Sequence, residues 1–188
     1  MTQEKIQIDD AGTGDLVGDA FIGFLRKKTG DLVFRTLPVE LFQNDNWKNK
    51  MPFKFVVTLV KDGLNELKFN KETEKIEICR GNIFDQVRTY FEEEGIYYEL
   101  AIIDGKLQDA VEGKLVEHLR KLGVRSKNLT TKSGAKRYFV LFNWVCYDFY
   151  KREKYVKNGF KKWNTVWREK AIKKYKKLKQ SKKQNYKR

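Results

Sequence analysis

Two adjacent carboxylates, Asp9 and Asp10, close the β-prone run IQIDD and lead straight into the glycine-containing segment AGTGDLVGDA. Carboxylates a few Å apart repel and raise each other's pKa, and a divalent cation removes that penalty. Mg²⁺ or Mn²⁺ asks for only a few hard oxygen ligands and keeps some waters, so two or three carboxylates suffice. A pair of such ions would stabilise both the attacking and the leaving oxygen of a phosphodiester. A plainer reading stands beside this one, in which the pair is a polar strand end feeding a glycine turn. Further acids recur late in the chain: Asp104 in AIIDG, then Asp109 and Glu112 in the following helical stretch. Asp104 reads equally as a ligand and as a helix cap, since an acid beside a helix N-terminus is favoured electrostatically.

These acids need elements to bring them together. Residues 5–10, 19–28 and 32–42 read as three strands, with the turn TGD between the last two, and they make an antiparallel meander. Phe53, Val56, Val57, Val60, Leu64 and Leu67 recur at helical spacing and predict a helix over 53–69. A strand at 74–81, a helix at 82–94, a strand at 96–105 and a helix at 106–123 follow. The run IYYELAIIDG is so β-prone that it fits best at the sheet centre. The fold class is α/β, with a mixed five-stranded sheet in the order βββαβαβα and a C-terminal helical extension. In this topology the first strand is central and parallel to the fourth, and the fifth adds beyond it. The C-terminal ends of strands one, four and five then share one rim.

That element order, with IQIDDAGTGDLVGDAFIGFL entering a hairpin and LAIIDGKLQDAVEGKL near the end of the body, resembles the ribonuclease H-like superfamily of ribonucleases H and Holliday-junction resolvases. The resemblance spans roughly residues 4–123. It implies a divalent-metal-dependent nuclease using Mg²⁺ or Mn²⁺. The central ligand of such a site is the strand-one Asp, which Asp9 matches best and Asp10 next, while Asp104 and Asp109 are the nearest matches to the remaining acids. All four are thus the candidate catalytic and metal-binding set. The chain also departs from the pattern. Phe55, Val56 and Val57 stand where ribonucleases H carry a Glu on the first helix. Arg80, Gly81 and Asn82 stand where resolvases carry a Glu after the fourth strand. The alternative is therefore a catalytically inactive ribonuclease H-like module that binds nucleic acid or a protein.

Charge divides the chain. The net charge is +15, yet the residues from His118 onward hold 24 Lys and Arg against three acids. A mildly acidic body at 1–123 thus carries a basic, aromatic extension at 124–180 and a lysine-rich tail at 181–188, expected to be disordered. Residues 124–137 read as a polar linker. Such asymmetry points to a polyanion, with nucleic acid (DNA or RNA) as the default partner. Lys161, Lys162, Arg168, Lys170, Lys173, Lys174, Lys176 and Lys177 are the candidate phosphate contacts. The aromatic residues between 138 and 167 read mainly as packing. No run approaches ~18 uncharged apolar residues, so no membrane span is expected. The first ten residues lack a signal-peptide pattern, and Cys79 and Cys146 read as reduced thiols of a cytoplasmic protein. His118, in a charged helical turn, reads as a surface residue.

Overall fold

The computed structural model of the chain describes residues 4–130 and 133–185. Strands β1 (Glu4–Ala11), β2 (Ala20–Arg26) and β3 (Leu32–Leu37) form the expected meander. A short helix α1 (Asn44–Lys48) precedes α2 (Met51–Glu66). Then come β4 (Glu74–Cys79), α3 (Asp85–Glu93), β5 (Tyr98–Ala101) and α4 (Lys106–Lys121). The five strands lie in the order β3-β2-β1-β4-β5, with β4 parallel to both β1 and β5. The protein is thus α/β with a mixed five-stranded sheet, and β1 is its centre.

Strand alternation sends successive residues to opposite faces. Ile6, Ile8, Ile22, Phe24, Ile76 and Ile78 share a core with Val56, Val60 and Leu64 of α2 and Val87 and Phe91 of α3. Gln7, Asp9 and Ala11 belong to the opposite face, and α4 packs there. Gly23 pairs with Asp9 across β1 and β2. A Cβ on Gly23 would stand 3.0 Å from Leu107 Cδ1 and 3.3 Å from Val111 Cβ, so the missing side chain lets α4 settle against the sheet beside Asp9.

β5 adds beyond β4, as the topology predicts, rather than at the sheet centre that its β-propensity suggests. It is four residues long, lies at the sheet edge, and leaves Leu100 and Ile102 exposed. The β-propensity of the run IYYELAII made a strand; the order of the crossovers put that strand outermost, where only β4 pairs with it.

The C-terminal part comprises α5 (Gly134–Tyr147), α6 (Phe149–Arg152), a π-helical turn (Trp163–Trp167) and α7 (Arg168–Asn185). It joins the body through one core. Val111, Leu115 and Leu119 of α4 cluster with Leu141, Phe142, Val145, Phe149, Trp163 and Ala171. Val124 and Leu129 are buried in the same cluster, so the stretch expected to be a linker is anchored on both sides of its polar residues. α7 continues through Asn185, so residues 181–185 of the expected disordered tail are helical, and 186–188 lie outside the described residues. Among the described residues, no helix is long and apolar enough to cross a membrane.

The segment after α6 threads into the body. Val156 bridges Val17, the Gly18 amide donates to the Tyr155 carbonyl at 2.9 Å, and the Lys157 amide donates to the Leu16 carbonyl at 2.9 Å. On its other side the Gly159 amide donates to the Phe42 carbonyl at 3.0 Å. The Gln43 side-chain amide donates to the carbonyls of Lys154 and Val156, each at 2.8 Å. This segment therefore sits under the loop that leaves β1.

Candidate metal centre

Ile8 pairs with Ile78 in the parallel β1–β4 ladder, so the next residues, Asp9 and Cys79, are side by side on the α4 face. Asp10 follows where β1 nears its end. Asp9, Asp10 and Cys79 each offer a ligand atom within 4.8 Å of the others, and among the described residues this is the group of acidic, histidine or cysteine side chains so gathered. Burial raises the pKa of Asp9, with hydrogen bonds from the Cys79 thiol and the Asp10 backbone opposing it. Burial pushes Asp10 further, to about 6, and the nearby Asp9 and Glu112 carboxylates add to the rise. Thr13 donates its hydroxyl to Asp10 Oδ2 at 2.5 Å. Burial lifts the Cys79 thiol to about 11, so it stays protonated and acts as a donor toward Asp9 rather than as a thiolate ligand.

The β1–β2 loop wraps this pair. Gly12 has φ +85°, and a Cβ there would meet Leu115 Cδ1 at 2.8 Å and the Asp19 carbonyl at 3.2 Å. Only glycine accepts both the turn and the close approach of α4. Beneath the loop lies Lys157, fully buried, with Nζ donating to the Gly12 carbonyl and stacked 4.7 Å from the centre of the Phe42 ring. Burial lowers its pKa to about 8, opposed by Asp15, Asp19 and Asp10, so it remains largely charged at neutral pH. Arg137 of α5 completes the frame. Its Nε donates to Asp15 Oδ1 at 2.9 Å and its Nη1 to Glu112 Oε2 at 3.0 Å. One guanidinium thus ties the loop, α4 and α5 together.

A cavity of about 330 Å³ is lined by Asp10, Thr13, Asp15, Glu112, Arg137 and Tyr138, among others. Glu112 and Arg137 also form part of the wall of a larger groove of about 880 Å³ along α4. Asp10 therefore faces a cavity that shares Glu112 and Arg137 with the groove.

The sequence-derived acids divide. Asp9 and Asp10 come together. Asp104 and Asp109 are both exposed, and neither joins the clustered group. Asp104 does not cap α4 either: Gly105 occupies the N-cap position, with no side-chain cap. The α4 acid that faces the pair electrostatically is Glu112, three residues beyond Asp109. Helical geometry carried that signal. At about 100° per residue, Asp109 lies about 160° around the helix from the buried Val111, whereas Glu112 lies about 100° from it. Arg137 and Lys157 had no comparable signal, because nothing in a lysine- and arginine-rich stretch marks which cation turns inward.

Other residues take defined places. His118 is half-buried rather than on the surface. Its Nε2 accepts the Asp19 amide at 3.0 Å, and burial lowers its pKa, so the ring is the neutral acceptor. The eight basic residues expected to contact phosphate are all exposed. Several are already engaged: Arg168 Nε donates to Glu153 at 2.5 Å, Lys173 pairs with Glu169 at 2.7 Å, and Lys174 donates to Asn143 at 2.6 Å. Lys170 covers the Trp167 ring at 4.6 Å. Lys161 and Lys162 flank an apolar cavity with Trp163 and Trp167, and Lys176 and Lys177 project from α7. Both cysteines are free thiols.

No protein-family model matches this sequence, and no curated protein matches it significantly. The functional reading therefore rests on the geometry.

Proposed function

We propose that the protein is a divalent-metal-dependent nuclease of the ribonuclease H-like type that hydrolyses phosphodiesters. The observation that carries this reading is the Asp9–Asp10 pair, held within 4.8 Å of each other and of Cys79 at the end of the central strand. Both carboxylates are raised in pKa chiefly by burial, so each lacks the water that would otherwise stabilise its charge. A hard cation fits such a donor set, since Mg²⁺ takes one or two carboxylates and leaves its other positions to water and substrate phosphate. When bound, the ion would polarise a phosphoryl oxygen and acidify a coordinated water. The protein's own residues would supply position. Thr13 and the Cys79 thiol aim the two carboxylates, and Arg137 restrains Glu112 at the mouth of the cavity. What supports this reading at the level of the sheet is the order β3-β2-β1-β4-β5, with the acids on its central strand.

One observation favours a second reading, a binding module without hydrolysis. Cys79, a protonated thiol, ends the fourth strand, where a carboxylate would enlarge the ligand set. One experiment separates the two. Purified protein is incubated with single- and double-stranded DNA and RNA in Mg²⁺ or Mn²⁺. The nuclease reading expects cleavage that Asp10→Asn abolishes while the circular-dichroism spectrum is kept. Binding of either polymer with no cleavage under any ion would overturn the nuclease reading in favour of the binding module.

A further inference from the structure

We infer that a single strand of nucleic acid lies along α4 in the groove that opens into the acidic cavity, with its phosphates carried by Arg120 and Arg125. This inference rests on the nuclease reading for the direction of the strand, and on its own observations for the surface. The groove, of about 880 Å³, shares Glu112 and Arg137 with the acidic cavity. Its wall also carries Asp109 and Glu117 and the basic residues Arg120, Lys121 and Arg125. The neighbouring charges are largely spoken for: Arg137 pairs with Asp15 and Glu112, and Lys121 pairs with Glu117 at 2.7 Å. Among the described residues, no carboxylate pairs with Arg120 or Arg125, and both are exposed. Two free guanidinium forks on one groove wall suit phosphate, which they can grip with two parallel hydrogen bonds.

The dimensions suit a short stretch of single strand. Eight residues separate Glu112 from Arg120, about 12 Å along the helix. That distance corresponds to roughly three or four stacked nucleotides at ~3.4 Å each. The groove volume is in the range of small-molecule sites, roughly 300–1,000 Å³, enough for a short stretch of single strand. The lysines of α7 stand on an open helical surface and several are paired, so they add general attraction without a track.

The test is fluorescence anisotropy of labelled single-stranded DNA and RNA with the full chain, in EDTA so that no cleavage intervenes, across a salt series. Arg120→Ala/Arg125→Ala should weaken binding at least about tenfold and reduce the slope of log affinity against log salt by about 1.4, two phosphate contacts' worth for a single strand. Lys176→Ala/Lys177→Ala should change the slope by less. An unchanged slope in the arginine variant, an equal loss in the lysine variant, or tighter binding of duplex than of single strand would each overturn the inference. Failure of the nuclease reading looks different. Wild-type protein that cuts nothing, with binding still lost in the arginine variant, removes the enzyme and leaves the groove. Cleavage lost in Asp10→Asn, with normal binding by the arginine variant, leaves the enzyme and removes the groove.

Discussion

Asp10 holds its proton up to about pH 6 because burial and two neighbouring carboxylates disfavour its charge. The folded state thus binds more protons than the unfolded chain between about pH 4 and pH 6, and this group's contribution to stability falls as pH rises through that window. A cation reverses the sign above it, since it binds the ionised pair. Calorimetric titration with Mn²⁺ should show affinity constant above about pH 6 and falling by about tenfold per unit below it, as protons compete for the same oxygens. In EDTA, well above that pH, Asp10→Asn should melt higher than wild type, with a gain of about 1–2 kcal/mol, because it removes a desolvated charge. Affinity independent of pH, or a variant that melts lower, would show that the pair is already compensated within the protein. Half of this site was legible from residue types alone, for adjacent acids at a strand end are a conspicuous pattern. Glu112 was marked only by its place on the helix, and the part supplied by Arg137 and Lys157 was not legible, because their roles depend on which elements lean over β1.

At the scale of elements, the meander, α2, α3 and α4 follow from strand alternation and helical spacing, and the parallel β1–β4 pairing follows from their order. The outer position of β5 follows from the same order, against the central place its β-propensity suggests. Propensity reports that IYYELAII extends, but the place of a strand in a sheet depends on crossover order and on what covers it, and here an edge is the outcome. The segment from Val156 to Gly159 was also hidden, since its backbone pairs with residues more than a hundred positions away. Lys157 is its pivot. Replacing it with Met keeps most of the packing against Phe42 but removes the buried positive charge that Asp10 and Asp19 feel and the donor to the Gly12 carbonyl, while Asp15 keeps Arg137. Urea denaturation of Lys157→Met should show a loss of about 1–3 kcal/mol, the scale for leaving a buried carbonyl without its donor. A loss confined to a few tenths would mean that the ammonium group only fills space. The same variant should bind Mn²⁺ more tightly above about pH 6, since one positive charge has left the neighbourhood of the pair.

Across the whole molecule, the charge asymmetry and the shared core act together. The chain's net +15 comes from a C-terminal part that outweighs a mildly acidic body and whose apolar residues complete the core over α4. The composition of that part suggested an appendage; its packing makes it a wall of the site, through Arg137 and Lys157. Truncation after Gly123 would uncover Val111, Leu115, Leu119 and their neighbours, each worth about 1.5–3 kcal/mol of burial. The truncated chain should therefore lose its cooperative thermal transition by circular dichroism; a body that melts as sharply as the full chain would show the two parts to be independent. The central claim is that Asp9 and Asp10 form a cation site, and crystals soaked in Mn²⁺ test it most directly. The account predicts an anomalous-scattering peak between the two carboxylates, at about 2–2.3 Å from an oxygen of each, lost in Asp10→Asn crystals. Crystals with no peak there, or with manganese bound only at Asp104, Asp109 or other exposed acids, would contradict it.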